Sequence, residues 1–221
     1  MASVDYDDQK KYWEGMDKRR KAYHPVVKAF ARPKLDFMLQ HLDHGDRQLT
    51  MLEVGAGNGY FSHTFNDVFD LISLDFSANM LEMNPLPRAQ KVVGDAEDLQ
   101  FEDDSFDVVF CGNLLHHLED PLIAVQEMRR VARKHVILIE PNVMNPLMFA
   151  FGLLKPEERG ALKFTANYVR GLGIKAGMEL RGFASQGSIV PNKVPIFLLP
   201  FLSRIDGVSR LGFYHVAIFD V

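Results

Sequence analysis

The sequence predicts an α/β protein built on a doubly wound, mostly parallel sheet with helices on both faces. Three observations predict it. Short, continuously apolar runs recur from residue 49 onward, helix-length segments and turn residues separate them, and the first run passes straight into a glycine-rich turn. Strands covered by helices on both sides read as unbroken apolar runs, because neither face meets water.

Residues 9–43 carry Tyr12, Trp13, Tyr23, Val27, Phe30, Leu35, Met38, Leu39 and Leu42, mostly at helical spacings. Two helices are expected there, broken near Pro25 or Pro33. The first five strands are placed at Leu49–Val54, Leu71–Leu74, Lys91–Val93, Phe106–Cys111 and His135–Ile139. Crossover helices fit at Phe61–Phe65, Asn79–Met83 and Leu122–Arg133. In the last of these Leu122, Val125, Met128 and Val131 share a face, and Pro121 takes a first-turn position. After Glu140, a long section with Pro141, Pro146, Pro156, Pro191, Pro195 and Pro200 is expected to hold one helical stretch near Asn167–Leu172. Two strands close it, at Met178–Ser185 and Gly212–Val221.

The 221 residues, 47% apolar and 24% charged, fit one compact soluble domain. Twenty-nine acidic against 25 basic side chains leave a net charge of −4, so no nucleic-acid partner is expected. The run Lys18-Arg19-Arg20-Lys21 reads as a solvated helix face. Cys111 is the single cysteine, which excludes an intramolecular disulfide and a multi-cysteine metal site; a buried structural thiol is expected, and no metal-ligand set is read. The acidic start, Met1 to Asp8, lacks the pattern of a secretory signal. Pro195, Pro200 and Arg204 interrupt the longest apolar stretch below the roughly 18 residues of a membrane helix. A cytoplasmic protein without membrane insertion is expected, of unassigned oligomeric state.

The chemistry concentrates at strand ends. Leu52-Glu53-Val54-Gly55-Ala56-Gly57-Asn58-Gly59-Tyr60 runs a strand into three glycines at alternate positions, where a backbone can turn sharply and a ligand can approach the main chain. A dinucleotide fingerprint wants its third glycine where Tyr60 stands, so a ligand without a pyrophosphate is favoured over a nicotinamide cofactor. Asp75 ends the next apolar strand; its two oxygens suit two vicinal hydroxyls, and either Asp75 or Ser77 could instead cap the following helix. Val93-Gly94-Asp95-Ala96-Glu97 and Cys111-Gly112-Asn113-Leu114-Leu115-His116-His117 follow the third and fourth strands.

These four segments, in this order, resemble the motifs of class I, Rossmann-like methyltransferases that use S-adenosylmethionine, of the small-molecule kind similar to the type 11 methyltransferase domain. The resemblance covers roughly residues 45–141 and implies a seven-stranded sheet whose last strand is antiparallel. It implies that Gly55, Ala56, Gly57 and Gly59 lie against the cofactor, that Glu53 organises its methionine end, and that Asp75 binds the ribose beside Ser77. Phe76 and Met80 would flank the adenine, with Asp95 and Ala96 reading its edge and Asn113 at the same crevice. One domain is expected: a helical lid over 1–44, a cofactor-binding core over 45–141, and a substrate-facing section with the final strands over 142–221.

The acceptor is expected to be a small molecule, a sugar or a lipid, since Asn113-Leu114-Leu115-His116 lacks the prolines of the family's amino-group methylating members. A protein or RNA acceptor, or a protein that binds the cofactor without transfer, remains a rival reading. His116 and His117 are candidate bases, since an imidazole titrates near neutral pH. Glu140, ending the fifth strand, is a candidate for the acceptor side. Tyr12, Trp13, Tyr23 and His24 are read as core or as a lid. The apolar segments 146–154 and 194–202 are read as core, acceptor pocket or oligomer interface.

Overall fold

A computed structural model describes residues 6–43 and 48–221. The start of the acidic segment and the expected 44/45 boundary lie outside the described residues.

Seven strands form one sheet: β1 (Thr50–Val54), β2 (Asp70–Asp75), β3 (Lys91–Val93), β4 (Phe106–Gly112), β5 (Ala132–Pro141), β6 (Glu179–Gln186) and β7 (Tyr214–Asp220). Their spatial order is β3-β2-β1-β4-β5-β7-β6. The chain starts in the middle, winds outward through β2 and β3, then returns to β4 beside β1 and continues the other way. Only β7 runs antiparallel, inserted between β5 and β6. All seven expected strands, and the antiparallel last one, are present.

The apolar runs bury both faces by simple alternation. Val109 and Cys111 of β4, with Val136 and Leu138 of β5, pack under the helices α5 (Pro121–Val131) and α7 (Ala166–Lys175). Val108 and Phe110, with Ile137 and Ile139, face the opposite way, against the helices α2 (Pro25–Leu39) and α3 (Ser62–Phe65). Cys111 is fully buried and burial raises its thiol pKa well above the ordinary value, as suits a structural position.

The expected pair of N-terminal helices is present, and one expectation about the later helices needs correction. The N-terminal pair is α1 (Tyr6–Glu14) and α2, broken before Pro25, while Pro33 lies inside α2. Pro25 sits at the helix start, where its missing N–H is no loss, and His24 caps it by accepting from Val26 N at 3.2 Å. At Pro33 the lost hydrogen bond is outweighed by a face that buries Val26, Val27, Phe30, Ala31, Leu35 and Met38.

The section after β5 holds more helix than one stretch: α6 (Pro146–Leu154), a 3₁₀ segment (Pro156–Lys163), α7, a 3₁₀ turn (Ile196–Leu198) and α8 (Leu199–Ile205) surround the two strands. The prolines start these elements instead of breaking them. Asn145, for instance, caps α6 through Leu147 N and Met148 N, with Pro146 next in line. The remaining helix, α4 (Ala78–Met83), follows β2. No described helix is long and apolar enough to cross a membrane.

Candidate active site

The C-terminal ends of β1, β2 and β4 open into one cavity of about 380 Å³. Its floor is the turn after β1, where Gly55, Gly57 and Gly59 all take positive φ, at 71°, 52° and 84°. A side chain is excluded as well as strained: a Cβ on Gly55 would lie 2.9 Å from Leu114 Cδ1, and one on Gly59 2.8 Å from the Asn84 side chain.

Asp75 ties β2 to this turn. Its Oδ2 accepts from Gly57 N at 2.7 Å and its Oδ1 from Ser77 N at 2.9 Å. Ser77 is the cap of α4, accepting from Met80 N at 3.2 Å, so the capping falls to Ser77 and Asp75 is left to brace the loop. Burial raises the pKa of Asp75 while those two N–H groups oppose the rise. Glu53 lies fully buried beneath the loop, its Oε2 accepting from Ser62 Oγ at 2.5 Å and Ser73 Oγ at 3.0 Å. Burial pushes its pKa up to about 7 despite those two hydroxyls.

The rim beyond β3 is more open. Asp95 is exposed, accepts from Glu97 N at 3.0 Å and stands 3.8 Å from Lys10 of α1. Phe76, Met80, Ala96 and Asn113 line the cavity. Asn113, with φ of 57°, makes the sharp turn out of β4, and its N–H donates to Ile139 O.

Across from the glycine turn lies a buried ionic cluster. Glu140 Oε1 accepts from Leu114 N at 3.0 Å and Leu115 N at 2.7 Å, and its Oε2 lies 2.6 Å from His116 Nδ1. On the other side of the ring, Glu158 Oε2 is 3.3 Å from Nε2. Burial alone would lower the pKa of His116, but Glu140 and then Glu158 lift it to about 9, so the ring is an imidazolium at neutral pH. For Glu158 burial alone acts upward, yet His116 holds it down to about 2.

His117 is opposite in character, driven down to about 3 by burial and then by the charge on His116. Its tautomer is fixed by α1. Gln9 Nε2 donates to Glu157 O at 2.7 Å, which leaves Gln9 Oε1 facing His117 Nδ1 at 3.1 Å. An amide oxygen only accepts, so Nδ1 carries the proton and Nε2 keeps a lone pair.

The wall from α1 is completed by Tyr12 and Trp13, with Trp13 edge-on to His117 at 5.0 Å and Arg19 stacked over both Trp13 and Tyr60. Met148 and Phe151 of α6, with Val190 and Tyr214, add apolar surface.

Residues 52–139 match the family model of a methyltransferase domain. The match is to a methyltransferase domain, and the fold is of the class I, Rossmann-like kind.

Curated relatives agree in kind. The chain is 32% identical over 119 residues to a demethylmenaquinone methyltransferase of Staphylococcus aureus, covering 49% of each chain. It is 34% identical over 104 residues to one of Renibacterium salmoninarum, covering 46% of this chain and 44% of that protein. It thus spans about half the length of the curated relatives it matches. The fold is shared with a SAM-dependent methyltransferase from Thermotoga maritima, at a TM-score of 0.67 and 19% identity over 97% of this chain and 96% of that one. It is shared also with YcgJ from Bacillus subtilis, at 0.61 and 17% over 85% and 97%.

Around one cavity the structure gathers Glu53, Gly55, Ala56, Gly57, Asp75, Phe76, Met80, Asp95, Ala96, Asn113, His116 and His117, while the expected Gly59 lies off the cavity, packed toward Asn84 and Pro85. Ser77 and Glu140 stand just behind the cavity, joined to Asp75 and His116. Of the four aromatic lid candidates, Tyr12 and Trp13 line the cavity, Tyr23 is exposed and His24 is a helix cap. The basic run is partly folded inward: Arg20 Nη1 donates to Pro191 O and Val194 O, and Arg19 lies over the rings.

Sequence reading missed Gln9, Glu157 and Glu158. Glu158 is fixed because Gly160, two residues on, packs on the His116 carbonyl so closely that a Cβ would overlap it. The Glu157-Glu158-Arg159-Gly160 string was the available signal. Gln9 offers none, since its role depends on where α1 lands.

Proposed function

We propose that this chain transfers a methyl group from S-adenosylmethionine to a small, largely apolar acceptor. The reading is carried by one observation: a glycine turn braced by Asp75 and a buried histidine pair face each other across a single cavity. The residues present fit the cofactor. Gly55 and Gly57, both at positive φ, leave a side-chain-free cradle, Glu53 would lie under the methionine end, and Asp75, Phe76, Asp95 and Ala96 line the side expected to take ribose and adenine. When bound, S-adenosylmethionine supplies a methyl group already activated on a sulfonium.

The residues of the chain then have to hold the acceptor and exclude water. Trp13, Met148, Phe151 and Val190 offer an apolar lining, which suits an aromatic or lipid-like molecule. Supporting that class, the relatives named above are demethylmenaquinone methyltransferases. Among the three candidate groups, His116 already holds its proton and Glu140 is engaged with three donors. His117 is unprotonated at neutral pH, and its pKa of about 3 makes it a weak base, so it suits accepting a hydrogen bond from an acidic acceptor and orienting it, the acceptor's proton being lost to solvent before the site closes.

Titration calorimetry with S-adenosylmethionine, S-adenosylhomocysteine and a nicotinamide dinucleotide tests the cofactor assignment. Micromolar binding of the sulfur compounds, lost in Asp75→Ala, is the expected result. Binding of the dinucleotide alone would replace this reading with redox chemistry. Turnover is then measured with dihydroxynaphthalene-type acceptors.

A further inference from the structure

The largest unexplained feature lies outside the cavity. From Ile196 to Ile205 the chain turns apolar side chains to the surface, with Phe197 77%, Phe201 62% and Ile205 57% exposed. Phe201 and Ile205 are one helical turn apart on α8 and form a stripe. Helix α6 does the same with Leu147 and Leu154, at 67% and 79%. Monomeric proteins rarely leave so much large apolar surface in contact with water without an occupant for it.

Of the two helices, α6 borders the cavity. Met148 and Phe151 of α6 line one side, and Val190 to Lys193, the segment leading into Ile196, lines another. Asn145 Nδ2 donates to Leu211 O, which holds the start of α6 beside the loop that follows α8.

The charges around this apolar surface decide among occupants. The chain as a whole is acidic, at −4. Yet the charged residues between 189 and 211 are Lys193, Arg204, Asp206 and Arg210, and the one acid is turned inward, accepting from Ser188 Oγ at 3.0 Å. Lys193, Arg204 and Arg210 are exposed, as are Lys18 and Lys21, and Arg20 anchors their loop to Pro191 and Val194. A second copy of this face would bring cations against cations. An anionic lipid surface complements both features, apolar side chains entering the headgroup boundary while the basic rim meets lipid phosphates.

We propose that the Ile196–Ile205 face, with α6 beside it, docks the protein on anionic lipid bilayers and presents the cavity mouth to the membrane. The docking is peripheral and stands whether or not the chain transfers a methyl group, so vesicle binding and cofactor binding fail separately.

The test is co-sedimentation of the full chain with vesicles of phosphatidylcholine alone and of phosphatidylcholine mixed with phosphatidylglycerol. The wild type is expected to pellet with the mixed vesicles and to be released by salt. A Phe197→Ser/Phe201→Ser double variant should bind at least about tenfold more weakly. Arg204→Gln and Arg210→Gln should each weaken binding to the mixed vesicles by roughly fivefold and leave S-adenosylhomocysteine binding unchanged. A wild type that stays in the supernatant, or a double variant that pellets like it, overturns the inference. So does a stable dimer that the double variant dissociates, which would assign the face to a second copy.

Discussion

His116 Nδ1 lies 2.6 Å from Oε2 of Glu140, with both side chains out of water and Glu158 closing the far side of the ring. The pair joins the end of β5 to the turn after β4, because the other oxygen of Glu140 holds the backbone of Leu114 and Leu115. An imidazolium between two carboxylates satisfies a charge that burial would otherwise forbid.

Glu140→Gln keeps the shape and removes the charge. Losing one partner of a buried ion pair costs on the order of 3 kcal/mol, or roughly 10 °C in melting temperature for a domain of this size. The effect depends on pH with a definite sign. The pKa of His116 is raised on folding from 6.5 to about 9, so its contribution is complete below pH 6.5 and is lost as the pH climbs through about 9. The melting-temperature gap between wild type and Glu140→Gln should therefore be widest near pH 6 and narrow toward pH 9. A gap independent of pH in calorimetric scans would mean that the pair is not ionised.

His117→Gln tests the role of the imidazole in orienting the acceptor. Cofactor affinity should stay within a factor of about two, while turnover of an acidic acceptor falls by roughly tenfold, the loss of one hydrogen bond. Gln9→Leu should act on the same step from a distance, since Gln9 touches His117 and not the reacting atoms. Nitrogen NMR of the imidazoles reads this directly: wild-type His117 should show the Nδ1–H tautomer, and Gln9→Leu a mixture. An unchanged tautomer in that variant would leave Gln9 a merely structural residue.

How much of this was legible beforehand differs between the two halves of the proposed site. The cofactor side lies at the ends of strands whose apolar runs announce themselves, and Glu53, Asp75 and Asn113 stand at those ends in sequence as in space. The acceptor side is assembled from α1, the Pro156–Lys163 turn and the strand ends, brought together only by tertiary packing. Helix α6 escaped notice for a related reason: Pro146-Leu-Met-Phe-Ala-Phe-Gly-Leu-Leu154 is apolar on every side, so no period distinguishes helix from core strand. Of the two alternative breaks, the chain takes Pro25, and Pro33 is overruled by the buried face around it.

Gly160→Ala should be among the most damaging small substitutions in the chain. A Cβ there would overlap the carbonyl of His116, which is backbone and cannot rotate aside. The turn must move away, taking Glu158 from His116. A loss of more than about 2 kcal/mol by urea denaturation is expected, with turnover falling further than cofactor affinity. Gly171→Ala, which meets nothing within 4 Å, is the control and should be neutral or stabilising.

Lys34 presents the reverse case, a charge whose removal should help. It is fully buried on α2, and its Nζ has no hydrogen-bond partner among the described residues. The ammonium lies over the rings of Phe30 at 4.2 Å and Tyr214 at 5.0 Å. Burial lowers its pKa from 10.5 to about 8, with Asp206 opposing. Because folding depresses this pKa, the cost of keeping the group charged is full below pH 8 and fades as the pH rises toward 10.5. Lys34→Met fills nearly the same volume without the charge, so stability at pH 7 should rise by about 1–3 kcal/mol. The gain should shrink at pH 10. A destabilised Lys34→Met protein at pH 7 would mean that the two rings and Asp206 together repay the burial of the ammonium.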